Sequence, residues 1–148
     1  MHPLRAAIAK RGIVALLTWS KSKSVGVRIL DDQHRGMIRI LNELHAAAIK
    51  GRVGEVAGPL LSQVSCMSRE HFSTEEELME QTGYPGLAEH RAKHQALLTY
   101  AEEFLARHDG SDATSYVKLL DFLRDWLREH LRNEDKKYTV WMNEHGIK

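Results

Sequence analysis

The chain has 148 residues, one cysteine, 43% hydrophobic and 28% charged residues, and a formal net charge of +1. That size fits one domain with one proper core and not two, and the mixed-sign charge offers no basic field for nucleic acid. No apolar run approaches the roughly 20 residues of a membrane span, and Ile13-Val14-Ala15-Leu16-Leu17, though preceded by Arg5, Lys10 and Arg11, is too short and wrongly flanked for a secretory signal.

Residues 1–30 carry no sustained period, and Val25-Gly26-Val27 reads as an extended or turning lead-in. From Gln33 the apolar positions Ile38, Leu41 and Ala48 recur at helical spacing, with His34 and His45 on the same stripe, until Gly51 and Gly54 break it. Asp31 or Asp32 is placed to cap this first helix. A second helix is predicted over 55–81, with Leu60, Leu61, Val64, Met67, Leu78 and Met79 facing inward and Pro59 tolerated because it lies near the first turn. Thr82-Gly83-Tyr84-Pro85 stops it, with glycine at the C-cap and proline just beyond.

A third helix over 86–107 has the inner stripe Leu87, His90, His94, Leu97 or Leu98, Ala101 and Leu105, and Asp109-Gly110-Ser111-Asp112 forms the next turn. The fourth carries Tyr116, Leu119, Leu123, Trp126, Leu127 and His130 on one face, with Lys118, Asp121, Arg124, Asp125 and Arg128 on the other. Strand patterns, repeats and low-complexity segments are absent. The expected fold is all-α, an antiparallel up-down-up-down four-helix bundle with an N-terminal extended arm. Residues 1–18 form an extension of unknown role and 19–148 the bundle.

Seven residues carry the chemistry: His34, His71 with Glu75, His90 with His94, and His130 with Asp135. Pairs four apart share one helix face, and alternating helices bring all four sets to one end of the bundle. Burying five imidazoles and two carboxylates without partners costs a few kcal/mol each, so a metal is expected. Seven donors exceed a tetrahedral zinc shell but suit two octahedral ions sharing bridges, and Glu75 and Asp135 are the natural bridging groups. His130 and Asp135 are five apart, off the helical repeat, so both can serve only if the helix end loosens or a long reach is used. The Glu-x-x-His pattern of carboxylate-rich di-iron bundles is missing. Fewer anionic ligands stabilise high-valent iron less, which favours reversible binding of a diatomic over O–O cleavage.

Asp31-Asp32-Gln33-His34, His71-Phe72-x-x-Glu75, His90-x-x-x-His94 and His130-x-x-x-x-Asp135 resemble, in order, the ligand set of the hemerythrins, along a stretch from Trp19 through Tyr138. The resemblance implies two iron ions (Fe2+/Fe3+) with an oxo or hydroxo bridge. By it, His90, His94 and His130 hold the coordinatively filled iron, and His34 and His71 the iron that takes oxygen. O2 would bind there as hydroperoxide, drawing two electrons from the pair and a proton from the bridge, and leave by the reverse steps. Met37, Phe72, Trp126, Leu127 and Leu131 occupy positions similar to the family's oxygen pocket. Leu97 departs from the phenylalanine often found three residues beyond the second histidine of the pair, so core volume there is expected to differ.

The remaining candidates have plainer readings. His45, about 16 Å along the axis from His34, cannot share its metal; it reads as half-buried and hydrogen-bonded. His108 is a helix-end residue, and His2 and His145 sit in tails. Cys66 excludes an internal disulfide, fits a reducing compartment and reads as a structural thiol, while Met37, Met67 and Met79 read as core filler. Trp141-Met142 either folds back on the bundle or meets a partner. The expected protein is cytoplasmic, with no membrane or nucleic-acid partner, and is an oxygen binder for storage, delivery or scavenging, not an enzyme. The alternatives are an oxygen, redox or NO sensor acting through a protein partner, and a di-iron enzyme handling NO or peroxide.

Overall fold

The structure, a computed structural model, describes residues 16–107 and 113–148, apart from the side chains of residues 113 and 133–135. His2, His108 and the expected turn at Asp109-Gly110-Ser111-Asp112 lie outside the described residues, as does the side chain of Asp135. Helices α1 (Arg28–Ile49), α2 (Val53–Thr82), α3 (Leu87–Arg107) and α4 (Ala113–Glu129) form the antiparallel bundle, and no strand occurs among the described residues. A π-helical turn, His130–Glu134, joins α4 directly to a final helix α5 (Asp135–Glu144). No described helix is long and apolar enough to cross a membrane.

Local chemistry sets the helix ends. The first helix starts at Arg28, a turn earlier than the period suggested, because Asp31 N–H bonds to the Val27 carbonyl at 3.0 Å. Asp31 therefore sits inside the first turn and fastens the lead-in: its carboxylate accepts from Val25 N–H at 2.9 Å and from Ser24 Oγ at 2.5 Å. The second helix also starts early, at Val53, which puts Pro59 beyond the first turn. There its missing N–H removes one helical hydrogen bond. Gly83 ends α2 in the left-handed region at φ +67°, with Gly83 N–H bonding to Glu80 O at 3.1 Å and Tyr84 N–H to Met79 O at 2.9 Å. Glycine takes that conformation without a Cβ penalty.

The buried residues form two clusters along the bundle. The larger joins Met37, Ile38 and Leu41 of α1, Leu61 and Phe72 of α2, Leu97 of α3, and Leu119, Leu123 and Leu127 of α4. The smaller joins Val25, Val27 and Leu30 to Met79, Tyr138 and Met142. Two of the donors fall between members of the two clusters, His34 between Leu30 and Met37 and Glu75 between Phe72 and Met79, while His71 and His130 directly precede Phe72 and Leu131 of the larger one. At roughly 1.5–3 kcal/mol per buried aliphatic or aromatic side chain, these layers hold the polar ring in place from both sides.

The lead-in to α1 and the final helix α5 meet on the smaller cluster. Thr139 Oγ1 donates to Val25 O at 2.6 Å and Lys136 Nζ to Ser22 O at 2.5 Å. Trp141 folds back on the bundle, its Nε1–H reaching the Thr82 carbonyl at 3.2 Å, and Met142 is fully buried beside it. Upstream, Leu17 is buried in the larger cluster and exchanges two hydrogen bonds with the Asn42 amide, at 3.0 and 2.8 Å. Cys66 is exposed, so the packing role expected of it is not found; it lies on the face of α2 turned away from the core.

Candidate metal centre

Six of the seven expected donors converge in one buried volume. His34, His71, Glu75 and His130 can offer ligand atoms lying within 4.8 Å of one another, and so can Glu75, His90, His94 and His130. Glu75 and His130 belong to both groups. Each helix contributes: α1 gives His34, α2 gives His71 and Glu75 one turn apart, α3 gives His90 and His94, and the π turn begins with His130. All six are buried, with His34, His71 and Glu75 wholly inaccessible. The loosening that the five-residue spacing of His130 and Asp135 demanded is present as the π turn, which takes up one residue more per turn than an α-helix.

Glu75 is the hub. Its Oε2 lies 3.0 Å from His71 Nε2 and 3.8 Å from His130 Nε2, while Oε1 faces His90 Nε2 in a close contact and His94 Nε2 at 3.2 Å. Tyr138 completes the ring by donating its hydroxyl to Oε2 at 3.0 Å. Burial pushes the Glu75 carboxyl up, but the surrounding imidazoles of His130, His71, His90 and His94 outweigh it and hold the group well below the usual carboxylate range.

Further out, neighbours fix the rings. His71 Nδ1 donates to Gln33 Oε1 at 2.8 Å, and Gln33 Nε2 donates to Thr74 Oγ1 at 3.1 Å. His94 Nδ1 donates to Glu76 Oε1 at 2.8 Å, and Arg91 Nε donates to Glu76 Oε2 at 3.2 Å. With Nδ1 protonated in both rings, each Nε2 lone pair points inward. The buried His94 Nε2 has no hydrogen-bond partner of adequate geometry among the described residues. Inward imidazole lone pairs around a shared carboxylate are a donor set that a divalent or trivalent cation satisfies, so the residues fit a metal.

Two of the expected pocket residues, Phe72 and Trp126, meet this ring. Met37, Phe72, Leu127 and Leu131 are buried in the larger cluster, and Trp126 packs half-buried against it. Phe72 stacks on His94 with centroids 3.8 Å apart, and Trp126 stacks on His130 at 4.5 Å. Leu97 lines a cavity of about 400 Å3 between α3 and α4, which reaches Trp126 and His130. His45 is half-buried away from the ring, and burial lowers its imidazole pKa.

The residues that sequence reasoning missed are those around the ligands. Gln33 and Glu76 were legible only as neighbours of His34 and Glu75. Nothing in the spacing linked Glu76 to His94, eighteen residues on, or Tyr138 to Glu75, sixty-three residues back.

A four-helix bundle holding a buried histidine-carboxylate ring between two apolar layers defines a class, the metal-binding helical bundles. The family model for the hemerythrin HHE cation binding domain matches residues 25–141. This chain belongs to the hemerythrin family. A bacteriohemerythrin of Stenotrophomonas maltophilia is 33% identical over 132 residues, covering 89% of this chain and 85% of the relative. One from Methylococcus capsulatus is 30% identical over 126 residues, covering 84% and 95%. The crystal structure of a wild-type hemerythrin superposes with a TM-score of 0.73 at 28% identity, covering 86% of this chain and 98% of the other.

Proposed function

We propose that the chain is a non-haem di-iron protein that binds O2 reversibly, for oxygen storage, delivery or scavenging, and that it is not an enzyme. His90, His94 and His130 would hold one iron and His34 and His71 the other, where the ligand would bind, with Glu75 and Asp135 as the carboxylates common to both. Residues 19–148 serve as the binding unit. The observation that carries this assignment is the sharing of Glu75 by two overlapping donor groups, each otherwise made of imidazoles. When bound, the iron pair supplies the two electrons that reversible dioxygen binding draws on and returns.

The chain's own residues do the rest. Glu75 and five imidazoles give a centre with little negative charge, which holds the lower oxidation states. Met37, Phe72, Leu127 and Leu131, each no more than 5% exposed, keep water from the centre and so favour release of the ligand over loss of its reduced form. Gln33 and Glu76 hold two imidazoles with Nε2 inward. The family's name for its domain speaks of cation binding, and the bacteriohemerythrin relatives support the assignment of oxygen as ligand.

The test is an absorption cycle on the reduced, iron-loaded protein before oxygen, after oxygen and after its removal. Charge-transfer bands that appear with oxygen and vanish on its removal are expected. An irreversible change to an oxidised spectrum would overturn the carrier assignment and favour sensing or peroxide and NO chemistry.

A further inference from the structure

Resting on the two-ion reading above, we propose that Gln33 and Glu76 are positioning residues that make the two halves of the centre unequal. A neutral hydrogen-bond relay ends on His71, and a charged one ends on His94. Three successive residues of α2 serve the three parts: Thr74 the neutral relay, Glu75 the centre and Glu76 the charged relay, at successive rotations of about 100°.

The direction of the neutral relay is fixed by its far end. Thr74 Oγ1 donates to the Glu70 carbonyl at 2.9 Å, and a carbonyl can only accept. The single hydroxyl proton is thereby used, so at Thr74 Oγ1 the Gln33 side chain must donate, through Nε2 at 3.1 Å. That turns Gln33 Oε1 toward His71, whose Nδ1 must carry the proton at 2.8 Å and whose Nε2 keeps its lone pair. Four groups, none of them charged, set one tautomer.

On the other half, His94 Nδ1–H meets a carboxylate, and Arg91 holds the second oxygen of that carboxylate. A carboxylate acceptor draws the Nδ1 proton more strongly than an amide does, which raises the electron donation of Nε2. The ion held by His90, His94 and His130 is thus bound more tightly and better supported when oxidised. The ion beside His71 gets a poorer donor and stays exchangeable toward its ligand. The two halves differ in the charge behind their rings as well as in their number of histidines.

Two measurements test this. In the metal-free protein, long-range 1H–15N correlation of the histidine rings should find His71 and His94 protonated at Nδ1, and T74V should shift His71 toward a mixture of tautomers. Anaerobic Fe2+ titration against a competing chelator should show two binding steps in the unaltered protein. E76Q should weaken one step about 10–100-fold and leave the other within about threefold, and Q33E should strengthen the other step. Equal weakening of both steps by E76Q, no weakening, or His71 protonated at Nε2 would overturn the proposal. Fewer than two Fe2+ bound by the unaltered protein would overturn the two-ion reading, while the tautomer measurement would still decide the relay.

Discussion

Replacing Tyr138 with phenylalanine removes the hydroxyl that meets Glu75 at the centre. Tyr138 is fully buried, and its hydroxyl donates to Glu75 Oε2 at 3.0 Å. The phenylalanine ring would keep the edge contacts to Tyr84 and His90, at centroid distances of 6.3 and 5.5 Å, so packing is preserved and the hydroxyl is lost. A hydrogen bond to a charged group contributes about 1.5–3 kcal/mol. At about 2–4 °C per kcal/mol for a chain of this size, Tm should fall by roughly 3–12 °C. The pH dependence should change as well. Because Glu75 titrates lower in the folded than in the unfolded protein, its contribution is present above the unfolded value of about 4.3 and is lost as pH falls through the folded one. Removing a donor raises the folded value, so Y138F should lose its structure at a higher pH on the acid side. Thermal melts by circular dichroism between pH 3 and 7 would measure both effects. A Tm within 1 °C of the unaltered protein at pH 7, with an unmoved acid limb, would refute the role given to this hydroxyl.

Other substitutions probe separate parts of the molecule. E75A removes the group common to both donor sets and should bring iron content below two per chain, measured by elemental analysis; two irons with an unchanged spectrum would contradict the assignment. G26A should lower stability to urea by at least about 1–2 kcal/mol, because residue 26 sits at φ +70° and a Cβ there would lie 2.9 Å from Thr139 Cγ2. An unchanged midpoint would mean that the lead-in does not press on α5. L97F has a cavity of about 400 Å3 to enter, so it should escape the roughly 1–3 kcal/mol that overpacking costs. A larger loss in urea unfolding would show that the cavity does not admit the ring.

Much of the fold was legible because the helices advertise themselves by one face each. Leu30, Met37, Ile38 and Leu41 on α1, or Leu119, Leu123 and Leu127 on α4, follow the period of 3.6 and are buried. Helix starts were less legible. The carboxylate of Asp31 looked like a cap but fastens the lead-in, a role set by where Ser24 and Val25 lie in space. The six converging donors could be gathered from sequence because His71 with Glu75, and His90 with His94, recur one helical turn apart. Their outer partners could not be, since any side-chain or backbone oxygen can accept from an Nδ1–H and only the packing of α3 against α2 selects Glu76 for His94.

The π turn shows how one local departure serves both fold and site. In an unbroken α-helix at about 100° per residue, Tyr138, eight residues past His130, would stand about 80° away from its face, and Met142, twelve past, about 120° away. One additional residue in the turn His130–Glu134 takes back about 100°, which leaves both within about 20° of His130. Tyr138 and Met142 are accordingly fully buried, the first on Glu75 and the second in the smaller core cluster. The hydrophobic period of α4 alone would have sent the last helix out of register with the bundle. The π turn costs some helical hydrogen-bond quality, and in exchange the tail of the chain closes the centre from below.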